Sequence, residues 1–396
     1  MKRVILPLLF LSIAATEVSA QFYYQDANNV DMIRHARQTG AVRREIILPQ
    51  VNGYNVYKAD LHTHTIYSDG DCTPEYRVKE AWNNGLDVLA ITEHIEYRKH
   101  EGNMIAFLKG YVKPDAQAVN YNIIRKAADE KGIQSDLNLA VKLAQKAAKG
   151  YGITIIPGAE ITREPITIGH YNALFTQDNN TLYDTDPMKS FVNARKQGAL
   201  IMHNHPGWRR KSLEHPELEK AIYEKGFIDG IEIMNGSEFY PKAITRAHEQ
   251  KLFVSANTDV HNSTYEQYIL NNCFRNMTFI FAKENTLEAL KEALVNRRTL
   301  AYAYGSLAGE EQLLKDFFQA SVSYKVISEG KNRKKNIVMT NLSSMTYLLR
   351  FGNGNPILLE PFSSLKRTTG EGGTLSFTVE NLWQSENEHP KLELNL

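Results

Sequence analysis

From residue 54 onward, short apolar runs alternate with segments of helical spacing. Residues 54–61 predict a strand; Thr73-Pro74-Glu75 then opens a helix, with Thr73 as N-cap and Pro74 at its first position. That helix stops at Asn84-Gly85, and residues 86–92, apolar except at Asp87 and Thr92, form a run of the kind a doubly covered strand shows. Residues 137–149 predict a helix ended by Gly150, residues 153–156 a strand, and further strands fall at 199–202, 231–234 and 253–256. This alternation predicts an α/β fold, a parallel sheet with helices outside, closed into a barrel. Ligands of such a fold sit at the carboxyl ends of the strands.

Three regions depart from the alternation. Residues 27–39 carry an amphipathic helical spacing (Val30, Ile33, Ala36) within an N-terminal preamble, 21–53. Residues 96–134 form a long insertion after His94, rich in Lys, Tyr and Asn, that could cover a site as a lid. Beyond the barrel region, 54–305, a helix near 310–320 precedes alternating segments at 322–327, 337–341, 347–351 and 375–379, several separated by Gly- and Asn-bearing turns. Residues 306–396 therefore predict a small all-β domain; its one histidine is His389, and it contains no cluster of ligand-type side chains.

Composition narrows the classes. Lys2-Arg3, an apolar stretch over 4–15 and Val18-Ser19-Ala20 before Gln21 make residues 1–20 a secretory signal peptide, too short for the ~20 residues of a span. The expected location is a periplasm or the cell exterior, with no membrane span after cleavage. A net charge of +1 indicates neither a nucleic-acid footprint nor a membrane-surface patch. Cys72 and Cys273 alone cannot form a disulfide framework or a thiolate zinc knuckle.

The chemistry lies where the apolar runs end. Asp60-Leu61-His62-Thr63-His64 is followed by Ser68-Asp69-Gly70, and later come Glu93-His94, Glu160, His170, His203-Asn204-His205 and Asp259-Val260-His261. A packed core has no need of so many imidazoles and carboxylates. His62 and His64, two apart at a strand end, point to one face, and neutral imidazoles so placed bind Zn, Mn or Fe. Asp259 and His261 repeat the spacing with mixed oxygen and nitrogen donors. Of the adjacent Glu93 and His94 only one easily reaches the same centre; His94 is chosen, leaving Glu93 to orient an imidazole or to be satisfied elsewhere. Glu160, just past the 153–156 strand, could bridge two cations through its two oxygens.

Asp-Leu-His-Thr-His with Ser-Asp-Gly, Ile-Thr-Glu-His, Pro-Gly-Ala-Glu, His-Asn-His-Pro and Asp-Val-His resembles the PHP superfamily, named for polymerase-associated and histidinol-phosphatase domains, over roughly residues 54–303. The signal peptide and C-terminal β-region look most like its secreted bacterial phosphodiesterases. The resemblance implies a distorted seven-stranded (β/α) barrel, three metal ions and phosphoester hydrolysis. The first ion would take His62, His64, Glu160 and Asp259; Glu160 would bridge to a second held by His170 and His205; Asp69, His94 and His261 would hold the third. His205 is preferred to His203 because it directly precedes Pro206. An aspartate at 69, where some members have histidine, hardens that site toward Mn or Fe.

The expected reaction on a small-molecule phosphoester is in-line attack by hydroxide shared between the first two ions, with the third holding a phosphoryl oxygen. Asp259 or His203 would protonate the leaving group. Arg163, Trp208, Arg209 and Arg210 follow ligand motifs closely and could meet the substrate, since a guanidinium can fork two phosphate oxygens. A phosphatase of the same fold is the main alternative. An amidohydrolase would require a bridging lysine that this chain does not place at a strand end, and a non-catalytic metal- or glycan-binding protein would show binding without turnover.

Overall fold

The computed structural model describes residues 23–26, 28–35, 42–98 and 136–396, so the signal-peptide expectation and, beyond residue 98, the lid expectation for 96–134 lie outside the described residues. The chain forms two compact units, Met1–Val42 and Arg43–Leu396. In the first, β1 (Tyr23–Asp26) and β2 (Asn29–His35) pair antiparallel, so residues 29–35 form a strand where a helical spacing was expected. Val30 and Ile33 are exposed, and the spacing that suggested a buried helical stripe marks no buried face. Aromatic and β-branched residues flanking a short Asn-containing connection favour the hairpin.

The second unit contains the α/β barrel. Its strands are β3 (Asn55–Asp60), β4 (Val88–Ile91), β5 (Thr154–Thr162), β6 (His170–Leu174), β7 (Leu200–His203), β8 (Gly230–Asn235), with the short β9 (Glu238–Phe239) beside it, and β10 (Phe253–Asn257). In space they run β10-β8-β7-β6-β5-β4-β3, and the sheet continues through β11 (Met277–Ala282), β12 (Thr299–Ala303) and β13 (Ser306–Gly309) to β20 (Leu382–Trp383). A parallel bridge between Thr63 and Val260 brings the ends of β3 and β10 together and curls the seven strands into a distorted barrel. The helices are α1 (Pro74–Asn83), α2 (Leu139–Ala148), α3 (Pro187–Lys196), α4 (Glu217–Glu224), α5 (Pro241–Gln250), α6 (Leu287–Val295) and α7 (Glu311–Ser321). Thr73 caps α1 as expected, its side chain accepting from the Tyr76 N–H.

The sheet is mixed rather than parallel. β6 runs antiparallel to both β5 and β7. Only residues 163–169 separate β5 from β6, too few for a parallel crossover. β5 also extends to Thr162, so Glu160 stands within the strand rather than after it. Strand alternation sorts the side chains. Leu200, Met202, Ile156, Leu174 and Phe253 fill the barrel interior, while Ile201, Ala159, Tyr171 and Ala173 pack outward against α3, α4 and α5.

The C-terminal region adds two antiparallel sheets. One is β14 (Val322–Glu329), β15 (Lys335–Asn341) and β18 (Ser364–Thr368); the other orders β17 (Ile357–Leu359), β16 (Tyr347–Arg350), β19 (Thr374–Val379) and β21 (Lys391–Asn395). Phe317, Phe318, Met339, Tyr347 and Phe377 share one hydrophobic core with Phe279 and Phe281 of the barrel sheet. Residues 43–53 are tied into the same unit: Arg44 N–H donates to Asn83 O at 2.9 Å and Ile47 N–H to Ser344 Oγ at 2.9 Å. Cys72 and Cys273 are both free thiols. No helix among the described residues is long and apolar enough to cross a membrane.

Candidate metal centre

At the carboxyl edge of the barrel, His62, His64, Asp69, His94, Glu160, His170, His205, Asp259 and His261 fall into overlapping groups of ligand-type atoms. The first gathers around the 61–64 segment. His62 Nε2 and His64 Nε2 lie 3.1 Å apart, each close to Asp259 Oδ1 (3.2 and 3.1 Å), and Glu160 reaches them at 3.5 and 3.8 Å. Four donors at ~2.1 Å from a tetrahedral cation would stand about 3.4 Å from one another. The same Glu160 Oε1 that faces His62 is 3.3 Å from His170 Nδ1 and 3.8 Å from His205 Nε2, while Oε2 lies 2.5 Å from His94 Nδ1. In the third group Asp69 Oδ1 lies 3.3 Å from His94 Nε2, 3.2 Å from His261 Nε2 and 4.0 Å from His64 Nδ1.

Two observations show that these residues suit cations. His64 Nδ1 is buried with no hydrogen-bond partner and stands 4.0 Å from Asp69 Oδ1, a costly state that an ion between them relieves. Asp259 (φ 52) and His205 (φ 26) hold left-handed backbone conformations that non-glycine residues rarely adopt, and such strain concentrates at functional sites. The charges are strongly coupled. Burial alone would lower the His62 pKa, but the carboxylates of Asp259, Glu232 and Glu160 around it prevail and raise it to about 10. Burial, with His94 and His261 nearby, drives His64 down to about 3. Burial opposes ionisation of Glu160, yet the imidazoles of His94, His170 and His62 hold it well below the usual carboxylate range.

The cluster opens into a cleft of ≈ 530 Å³ bordered by His94, Tyr97, His170, His205, Trp208 and Arg209. The Trp208 ring stands 5.3 Å from those of both His170 and His205, and the Arg209 guanidinium lies over the indole at 4.3 Å. A larger cleft of ≈ 650 Å³ at the opposite end of the barrel, beside Lys251, Arg297 and Glu310, holds none of these ligand groups.

Three expected site residues stand elsewhere. His203 shares the outward parity of Ile201; its ring stacks on Tyr171 at 4.7 Å and its Nδ1 pairs with Tyr223 OH at 2.8 Å, behind the cluster. Arg163 is buried, ion-paired with Glu96 at 2.9 Å and bonded to Ser190 Oγ and Asp184 O. Arg210 is ion-paired with Glu219 and donates to Pro165 O at 2.7 Å. Neither arginine borders the cleft. Glu93 is satisfied away from the imidazoles, by the Thr65 and Ser68 hydroxyls and the Thr65 N–H.

Several further residues support the cluster without a motif that marks them. Asn204 Nδ2 donates to Glu160 Oε1 at 2.9 Å and to Asn172 Oδ1 at 2.9 Å. Arg77, fully buried on α1, donates to the carbonyls of His64 (3.1 Å), His261 (3.0 Å) and Asn262 (2.9 Å) and to Glu80 at 2.6 Å. Glu232 stands alone as an acid in the buried run Gly230-Ile231-Glu232-Ile233-Met234, a signal that marks it as more than a solvated carboxylate.

The PHP domain family model matches residues 60–268. This chain belongs to the PHP family. Among solved structures it is similar to a two-domain Bacteroides vulgatus protein described as containing a predicted PHP-like metal-dependent phosphoesterase. That match has 31% identity and a TM-score of 0.77, and covers 90% of this chain and 100% of that one. A lesion-specific endonuclease, EndoQ, from Pyrococcus furiosus matches at 17% identity over 65% of this chain and 59% of its own, with a TM-score of 0.38. An amidohydrolase from Chromobacterium violaceum matches at 15% over 52% and 87%, with a TM-score of 0.33. No curated protein matches the chain.

Proposed function

We propose that the protein is an exported, metal-dependent phosphodiesterase acting on a small-molecule phosphoester at a centre of three divalent ions, Mn, Zn or Fe. The observation that carries the reading is the convergence of six imidazoles and three carboxylates into overlapping ligand groups beside one open cleft. Bound divalent ions supply Lewis acidity to phosphoryl oxygens and bring the pKa of a water from 15.7 toward about 7.

The remaining work falls to the chain's own residues. His62, His64, Glu160 and Asp259 would hold one ion, Glu160 with His170 and His205 a second, and Asp69, His94 and His261 a third. Burial opposes ionisation of Asp259, but the imidazoles of His62, His64 and His261 hold its carboxyl well below the usual range; with its side chain 20% exposed at the edge of the cleft, it would take on Oδ2 the proton given up by the attacking water and pass it to the leaving oxygen. Trp208 and Arg209 would receive the organic portion and the phosphate charge. Export rests on the basic, apolar and small-residue order of residues 2–20; the diester preference rests on likeness to secreted family members. The test is a panel of p-nitrophenyl phosphodiester, phosphomonoester and amide substrates, with Mn, Zn, Fe and Co each loaded into the mature protein. Fastest turnover of the diester supports the proposal; turnover of monoester or amide alone overturns it.

A further inference from the structure

Glu232 lies buried in β8, and its four hydrogen bonds account for a carboxylate's whole acceptor capacity. Oε1 faces His62 Nδ1 at 3.3 Å and accepts from Asn257 Nδ2 at 2.9 Å; Oε2 accepts from the His205 backbone N–H at 2.7 Å and from Asn235 Nδ2 at 2.8 Å. It belongs to none of the ligand groups. It also stands on the far side of the His62 ring, since Nε2, not Nδ1, faces His64 and Asp259. Its strand neighbours Ile231 and Ile233 pack outward into an apolar layer, so nothing in sheet packing requires a charge here.

We propose that Glu232 is a positioning residue that sets up the metal centre from behind. By accepting Nδ1–H of His62 it selects the tautomer whose Nε2 lone pair is free for a cation. By accepting the His205 N–H it holds that residue in its left-handed conformation (φ 26), from which the ring faces Glu160 and Asp259. A third thread runs through Asn235, whose amide also reaches Asp259 Oδ2 at 3.3 Å. One carboxylate thus fixes three ligand-bearing segments that lie far apart in sequence. A ligating imidazole whose other nitrogen is held by a carboxylate is both oriented and made more basic.

This inference rests on reading the cluster as a metal centre, but not on the ester that is cleaved. Glu232→Gln keeps the shape and turns an N–H₂ group toward one pair of donors. Mn or Zn affinity, measured by competition with a chromogenic chelator, should fall about 10–100-fold while the metal-free circular dichroism matches wild type. Glu232→Asp, which keeps the charge but shortens the reach, should fail to restore affinity. Wild-type affinity in Glu232→Gln, or full rescue by the aspartate, overturns the proposal. Should Glu232→Gln not fold, wild-type protein labelled with 15N-histidine and loaded with 113Cd decides the matter. His62, identified by loss of its signals in His62→Asn, should carry a proton on Nδ1 and couple to cadmium through Nε2. Coordination through Nδ1 overturns the assignment. Lost affinity in Glu232→Gln with no hydrolysis of any ester by the wild type would sink the phosphoesterase reading and leave this one standing.

Discussion

His62 Nε2 and His64 Nε2 lie 3.1 Å apart, both facing Asp259 Oδ1. Two imidazole lone pairs so close repel unless a proton or a cation lies between them. Removing one ring deletes a ligand without disturbing the β3 ladder, which ends at Asp60. His64→Ala and Asp259→Ala should each lower kcat/KM by at least about a thousandfold, roughly 4 kcal/mol, with native circular dichroism. Near-normal turnover by metal-depleted His64→Ala would contradict the account.

Arg77 joins the His64 and His261 segments through their carbonyls while paired with Glu80. Arg77→Met takes the charged partner from a buried carboxylate and the guanidinium from the His64 carbonyl, while the Asp71 N–H stays on the His261 carbonyl and the Thr264 N–H on Glu80 Oε1. The expected loss is ~3–5 kcal/mol of unfolding free energy, read from urea denaturation of the metal-free protein. A loss below about 1 kcal/mol, the range of an exposed pair, would show that the arginine is dispensable.

The arginines near the site should separate by experiment. Arg209 is exposed on the cleft rim, whereas Arg163 and Arg210 are committed to Glu96 and Glu219. Arg209→Ala should raise KM about tenfold, near 1.4 kcal/mol, with kcat little changed. Arg163→Ala and Arg210→Ala should instead lower the melting temperature by several degrees. A reversed pattern would place the substrate against different walls.

How much of this was legible in the sequence depends on the residue. Apolar runs such as 88–91 and 199–202 announce strands because burial on both faces demands continuous hydrophobicity, and ligand-type side chains at their ends mark the working edge. β6 was absent from the predicted strands, because His170-Tyr171-Asn172-Ala173-Leu174 is short and mixes polar with apolar residues, and periodicity carries no strand direction. His203 was ambiguous as half of an HxH pair, although its shared parity with Ile201 sends it outward. Arg163 and Arg210 read as free cations because their partners Glu96 and Glu219 are 67 and 9 residues away, and pairing across a fold leaves no local signature. Arg77 was masked as an ordinary polar residue on an amphipathic helix.

His203 gives a pH signature. Burial, helped by the Arg210 and Arg246 charges and opposed by Glu219, lowers its pKa to about 3 from 6.5. Between these values the unfolded chain holds a proton that the folded chain does not. This contribution to stability is therefore complete above pH 6.5 and is lost as the pH falls toward 3. Metal-free wild type should lose stability across that window more steeply than His203→Gln, by up to about 1.4 kcal/mol per pH unit. Parallel stability curves from urea denaturation between pH 4 and 7 would contradict the placement of a neutral, buried His203.

The most direct test is elemental analysis of the purified mature protein before and after loading with Mn, Zn or Fe. The account predicts about three equivalents of transition metal per chain, falling in His64→Ala and Asp259→Ala, and phosphodiester turnover that disappears with chelation and returns with metal. A protein that neither carries nor takes up such ions would contradict it.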